Sequence, residues 1–380
     1  MFSLHAIWIC IVKRSPWIIA CVWTLSLADA HASAADLLNA VIENVERNEA
    51  LYGNIEIIIR SVYEADGRDK GGNGWNVVQY REKRTRHVTQ DAKFFVSLEG
   101  TQRTEKGAMP LHQVRAFDGQ TTRLAFQDAI GNVISGRADD ENLIRPHMLL
   151  AELSDALVPL STYLKGHDAI MADPNAAWEP TATLEITYEG QEAFQGLRCH
   201  KVWLTALVNQ VPHSRYEALL AEERNYFPIR VLAFTFRFSE TIPVGESVVD
   251  EWREIGPGIW FPFAIRDTAY DKAAVQAKGA QIPIWWEAKT VETAMLNPHY
   301  DVAFFRDVEF PKGAAVYHVE GDKITKSYRV GAPQAESGPK AGGSRYRWMA
   351  CANIAALGLF GAVFLVRRLR GRAGREPGAS

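Results

Sequence analysis

From residue 36 onward the apolar positions recur first with helical spacing and then with strand spacing. Leu37, Val41 and Val45 follow an i, i+4 rhythm that continues into residues 48–52, and Leu38 and Ile42 widen the stripe. Asp36 stands where a cap belongs, so the spacing predicts an amphipathic helix that ends before Gly53. The period then drops to two. Ile55, Ile57 and Ile59 share one face, followed by Trp75 and Val77, then Phe94, Val96 and Leu98. Residues 114–117 and 122–126 flank Asp118-Gly119, a predicted turn, which makes the first half a run of antiparallel hairpins.

Residues 145–164 interrupt this meander. Met148, Leu149, Leu153, Leu157, Leu160 and Leu164 recur at mixed helical spacing around Pro159, which predicts one or two helices. Their apolar positions are too broadly spread for a single stripe, and the segment is expected to be a mobile lid. Strands resume with Leu184, Ile186 and Tyr188, again with Leu232, Phe234, Phe236 and Phe238, and again with Ile259, Phe261, Phe263 and Ile265. Further strands are expected over residues 198–204, 247–255 and 284–293. Ten or more long strands with one apolar face rarely stay flat and open. The expected fold is mainly β (α+β): a large curved antiparallel sheet forming an unclosed half-barrel, with a leading amphipathic helix and a helical lid.

The two ends read differently. Lys13 and Arg14 precede an apolar core over residues 17–28 and the small residues Ala30, Ala32, Ser33 and Ala34, the order of a secretion signal over residues 1–34, with cleavage after Ala32 or Ala34. An uncleaved anchor is the alternative, but the core is shorter than the roughly 20 residues a bilayer span requires. Residues 348–366 carry no charge and are long enough to cross most of a hydrocarbon core, so 347–366 is expected to be a transmembrane helix. Arg367, Arg368, Arg370, Arg372 and Arg375 make 367–380 a basic cytoplasmic tail. A flexible Gly/Pro/Ala/Ser-rich linker, 331–346, separates this span from the domain at 35–330. A processed C-terminal sorting signal shares this plan and stays open. The expected location is the cell membrane of a bacterial envelope, single-pass, with the N-terminal domain periplasmic.

Charge and cysteine usage narrow the partners. Of 42 basic and 45 acidic residues, 10 and 3 fall outside 35–330, leaving 32 basic against 42 acidic in the domain. A nucleic-acid partner needs the opposite balance. Cys199 alone of the four cysteines lies in the domain, so its core rather than a disulfide must hold it together.

The residues show no constellation for catalysis. There is no G-x-S-x-G, H-E-x-x-H, C-x-x-C or P-loop, and Gly71-Gly72-Asn73-Gly74 reads as a hairpin loop. His147, His200, His213, His299 and His318 stand singly, which implies no metal and no cofactor. Glu222-Glu223 and Asp250-Glu251 are read as strand neighbours pointing to opposite faces, and Cys199 as a packed thiol.

Aromatic, Pro and Gly markers of strand ends recur at Arg145-Pro146-His147, Asn225-Tyr226-Phe227-Pro228, Glu251-Trp252-Arg253-Glu254-Ile255, Gly258-Ile259-Trp260-Phe261-Pro262, Leu296-Asn297-Pro298 and Phe310-Pro311-Lys312-Gly313. With the helix, meander and lid, they resemble the periplasmic lipoprotein-carrier and stress-sensor superfamily, LolA-like and RseB-like, over about residues 35–330. The resemblance implies a half-barrel whose apolar interior holds an acyl chain. The lipoprotein carrier is a free shuttle whereas this chain is expected to be tethered, and no binding residue of the family is carried over onto this sequence.

The sequence therefore points to a membrane-anchored protein that binds an apolar ligand, a lipid or a lipidated protein, and is not an enzyme. The cavity is expected at Phe234, Phe236, Phe261 and Phe263, under a lid carrying Met148, Leu149, Leu153 and Leu157. Two alternatives stay open: a sensor module contacting a membrane-bound regulator, and an envelope hydrolase with a noncontiguous site.

Overall fold

A computed structural model describes residues 33–66, 78–136, 145–153, 158–173, 182–321 and 323–332. The leader, Trp75, Val77, Leu157, the expected transmembrane span and the tail lie outside these residues. Among the described residues no helix is long and apolar enough to cross a membrane.

Helix α1 (Ala34–Glu49) opens the fold and runs into a single 3-10 turn, Ala50–Tyr52. Its cap is Ser33, and Asp36 is the other half of a capping box. The Asp36 amide donates to Ser33 Oγ at 3.1 Å, and the Asp36 carboxylate accepts the Ser33 amide at 3.1 Å. Val41, Ile42 and Val45 form the buried stripe.

Strands β1 (Ile55–Ala65), β2 (Val78–Gln90), β3 (Lys93–Thr104), β4 (Gly107–Phe117), β5 (Thr121–Phe126) and β6 (Ile130–Ser135) follow as an antiparallel meander. Asp118 builds the expected turn by accepting the amides of Gln120 and Thr121 at 2.9 and 2.8 Å. Between β2 and β3 the two-residue turn Asp91-Ala92 takes φ of 48° and 63°, the left-handed geometry that matches the twist of a hairpin.

The chain then packs across one face of the sheet, called here the inner face. It does so through two 3-10 turns, Pro146–Leu149 and Ala151–Leu153, and two short helices, α2 (Leu160–Leu164) and α3 (His167–Ala172). A second antiparallel meander returns: β7 (Ala182–Phe194), β8 (Leu197–Val208), β9 (Val211–Ala221), β10 (Phe227–Thr235), β11 (Gly245–Gly256), β12 (Ile259–Tyr270) and, after helix α4 (Lys272–Lys278), β13 (Pro283–Leu296). Its last strand pairs with β1, so the two meanders meet at a β1–β13 seam. Helix α5 (Val302–Arg306) follows. Strand β14 (Ala315–Glu320) then pairs with β6 in parallel, and β15 (Lys323–Arg329) forms the edge.

The described strands form one 15-stranded sheet, ordered β15-β14-β6-β5-β4-β3-β2-β1-β13-β12-β11-β10-β9-β8-β7, with β15 and β7 as its free edges. The fold is mostly β, with a large unclosed sheet and few helices. Its main core unites α1, the crossover and the inner face of β1 and β7–β13: Val45, Ile57, Leu150, Leu164, Val202, Val231, Phe261 and Val291 are all buried there.

Candidate functional site

The inner face divides into two regions. Over β7–β13 it is filled. Leu149, Leu150 and Leu153 of the crossover are buried against it, and Met148 is half-buried. The crossover is also fixed by main-chain hydrogen bonds to strand side chains. The Ala151 amide donates to Asp267 Oδ1 at 2.9 Å, the Glu152 amide to Ser247 Oγ at 3.3 Å, and Lys289 Nζ to the Leu149 carbonyl at 2.6 Å. Glu49, at the end of α1, accepts the amides of Leu160 and Ser161 and so caps α2. The segment expected to be a lid therefore sits as a plug, and its apolar residues are spread because they enter the core from several sides of an irregular chain.

Phe261 and Phe263 lie in this filled region. Phe261 is 1% exposed, with its ring 6.0 Å from Tyr52. Phe234 and Phe236 do not share their face. A register shift between Pro228 and Arg230 turns Val231 and Ala233 inward, where the plug leaves room for small side chains. Phe234 pairs with Arg215 and faces outward with it. The Arg215 guanidinium lies 4.7 Å from the Phe234 ring, 5.8 Å from Phe236 and 4.2 Å from Trp203. Phe236 lies beyond the end of β10 and is half-buried.

Over β2–β4 the inner face is covered only in part, with Phe94, Phe117 and Arg115 buried at one end. Val96, Leu98 and Leu111 are half-buried there, beside Lys83, Gln102 and Gln113. Across both regions runs a belt of polar groups in cross-strand register. Gln102, Arg81, Tyr63, Glu287, Asp267 and Ser247 form one row across six strands. Gly100, Lys83, Ser61, Lys289, Ile265 and Val249 form the next. At Gly100 a Cβ would collide with the main chain of Glu82, so the two strands approach too closely there for any other residue.

The electrostatics of the belt follow from this packing. Lys289 Nζ lies 2.6 Å from Asp267 Oδ2. Burial works against the Lys289 ammonium, but Asp267 and Glu287 outweigh it and raise its pKa. Burial likewise opposes the charge on Glu287, yet Lys289, Lys83 and Arg81 together hold its carboxyl down to about 2. Lys83 is the reverse case: burial, then repulsion from Arg81, outweighs Glu287 and brings its ammonium down to about 8. Further along the same face, burial and Lys83 press His87 down to about 4, so it is neutral at neutral pH. An anionic or polar group, with an apolar chain attached, is what a half-covered surface of this composition can hold.

Sequence reasoning missed a second cluster. Glu222 and Glu223 sit in a 3-10 turn, Glu222–Arg224, and not in a strand. From that turn Glu222 Oε1 lies 2.8 Å from His200 Nε2, and His200 Nδ1 lies 3.0 Å from the Tyr188 hydroxyl. Burial and Glu222 both raise the Tyr188 phenol, so it stays protonated and serves as a hydrogen-bond partner. Cys199 is buried against Leu219, Ala221 and Ile229, and burial pushes its thiol up to about 11. Among the described residues no three His, Cys, Asp or Glu side chains group as a metal site. On the outer face a shallow cavity of about 660 Å³ lies between Phe95 and α5, but Arg86 and Tyr300 beside it are already bound to Glu56.

The chain is similar to LolA-superfamily and lipoprotein-sorting structures. A putative outer membrane lipoprotein-sorting protein domain from Vibrio parahaemolyticus matches with 9% identity over 70% of this chain and 97% of that one, at a TM-score of 0.38. A LolA superfamily protein from Nitrosomonas europaea matches with 9% identity over 70% and 96%, at 0.35. The Mycobacterium tuberculosis lipoprotein LppX matches with 9% identity over 70% and 98%, at 0.23. No family profile and no curated protein sequence matches the chain. What the site does rests on its own residues.

Proposed function

We propose that this protein is a membrane-tethered, extracytoplasmic binder of a lipid or a lipidated protein, with the cargo seated on the inner face over β2–β4. The observation that carries the reading is the unequal cover of that face. Over β7–β13 the plug and α1 bury it, whereas over β2–β4 it presents half-exposed Val96, Leu98 and Leu111 next to cations. Apolar surface of this kind gains roughly 25 cal/mol for each Å² removed from water, and an acyl chain supplies matching area. The tether is residues 347–366, with the domain on the side opposite the arginine-rich tail. Glu287 stays ionised in the belt, which suits a group that orients charges better than a general acid. Native mass spectrometry of the full chain released from its own membranes tests the reading. Copurified lipid or acylated peptide supports it, and a chain that is bare under conditions where other lipid binders keep their cargo refutes it.

A second reading draws on the pinned plug. A filled interior suits an interaction module that contacts a membrane-bound regulator. Crosslinking of the intact chain in membranes separates the two, because that module would capture a protein partner and no lipid.

A further inference from the structure

Resting on that proposal of lipid binding, we infer that the cargo is an amphiphile with an anionic phosphate head group, held by Arg81 and Lys83 at the edge of the belt while its chain runs along Leu111, Leu98 and Val96.

The belt sets three cations, Arg81, Lys83 and Lys289, against two carboxylates, Asp267 and Glu287. Lys289 is fully engaged with Asp267 and the Leu149 carbonyl. Among the described residues the other two cations are not. Arg81 Nη2 lies 3.5 Å and Lys83 Nζ 3.8 Å from the same atom, Glu287 Oε1, too far for good hydrogen bonds. Among the described residues Arg81 Nε and Glu287 Oε1 are buried without a hydrogen-bond partner. Buried polar atoms in folded proteins are normally satisfied, and two half-buried cations that share one loosely held carboxylate oxygen leave donors over.

Both side chains can still be reached, at 21% exposure for Arg81 and 27% for Lys83. A phosphate oxygen can accept from the Arg81 guanidinium and Lys83 Nζ together, and such charge-assisted bonds are the strong ones. Glu287 then positions the two donors, as Tyr63 does from beneath: the Arg81 guanidinium lies 5.2 Å from its ring. Gly100 links the charged and apolar parts. It stands between Lys83 and Leu111 in the cross-strand row and contributes no side chain between a head group on Lys83 and Leu111.

The test uses the full chain in a nonionic detergent, with phosphatidylglycerol and phosphatidylcholine carrying the same photoactivatable acyl chain, and maps the labelled peptides. The phosphate of phosphatidylcholine is masked by its choline. Phosphatidylglycerol is expected to label residues 93–117 about tenfold more strongly, the difference a charge-assisted contact confers. Arg81→Gln with Lys83→Gln should reduce that labelling to the phosphatidylcholine level and leave phosphatidylcholine unchanged. If the double variant fails to fold, Lys83→Arg should keep the preference in a folded chain and inorganic phosphate should not compete it away, whereas full competition would show a site for free anion. Equal labelling by the two lipids overturns the head-group inference and leaves lipid binding standing. No labelling by either overturns both.

Discussion

The inner face of one continuous sheet behaves in two ways. Around Phe261 it is a core in which helix, plug and strands exclude water. Around Leu98 it is a half-covered surface where apolar and cationic side chains lie together. Strand geometry does not distinguish the two regions. The difference comes from what the described part of the crossover covers, and it places Phe261 and Phe263 in the core.

Truncations should expose the contrast most strongly. Phe261→Ala and Asp267→Ala are each expected to cost about 3–5 kcal/mol, the first by leaving a cavity and the second by stranding Lys289 without its partner, whereas Leu98→Ala should cost about 1 kcal/mol. Thermal melts of the intact chain measure all three, and comparable losses at Phe261 and Leu98 would abolish the distinction. Amide exchange adds a local readout. Residues 149–153 should exchange as slowly as β10 in the parent and faster in Asp267→Ala.

Acid should act next, through the belt. Glu287 has its carboxyl at about 2 in the fold against an ordinary 4.5, so between those values the native state binds fewer protons than the unfolded chain and stability rises with pH. The stability gap between the parent and Glu287→Gln, on the order of 3 kcal/mol, should be complete above about pH 5 and close as the pH falls towards 2. A gap that persists unchanged at pH 2.5 would show that the three cations do not act on Glu287.

Alkali should act on the open region alone. Lys83 faces Arg81 on its own strand, Glu287 and Lys289 across the seam, and uncharged Ser61 and Gly100 on its flanks, and it loses its proton at about 8. Binding of a fluorescent phosphatidylglycerol should therefore weaken about tenfold as the pH rises from 7 to 9, with phosphatidylcholine unaffected. The smallest effect is expected at Phe236. Because it faces away from the cargo, Phe236→Trp should leave acyl-probe uptake unchanged, and reduced uptake would place it on the inner face after all.

Much of the filled region could be read from the chain. The α1 stripe, the isoleucines of β1 and the alternation of β12 each obey a single period, because one face meets the core and the other meets water. β10 misled for a physical reason: its larger residues, Leu232 and Phe234, are buried on the outer face, Phe234 under Arg215, so bulk did not indicate the inner side. The belt was not legible, since residues 61 to 289 meet only through a register no local pattern encodes. One signal was available. In Arg81-Glu82-Lys83-Arg84 the charges occupy both faces of β2, and a strand with no apolar face must turn part of its charge inward.

The seam between the meanders also dictates when the protein can be finished. Ile55 pairs with Leu296, so the first strand waits for nearly the whole domain to be synthesised before its second neighbour exists. Contacts this distant in sequence make folding slow. Until β13 arrives, the nascent first meander holds out a bare β1 edge lined by Ile55, Ile57 and Ile59, an invitation to pair with another chain. A holding factor that shields this edge during biogenesis would matter more to this protein than any helper acting on its helices.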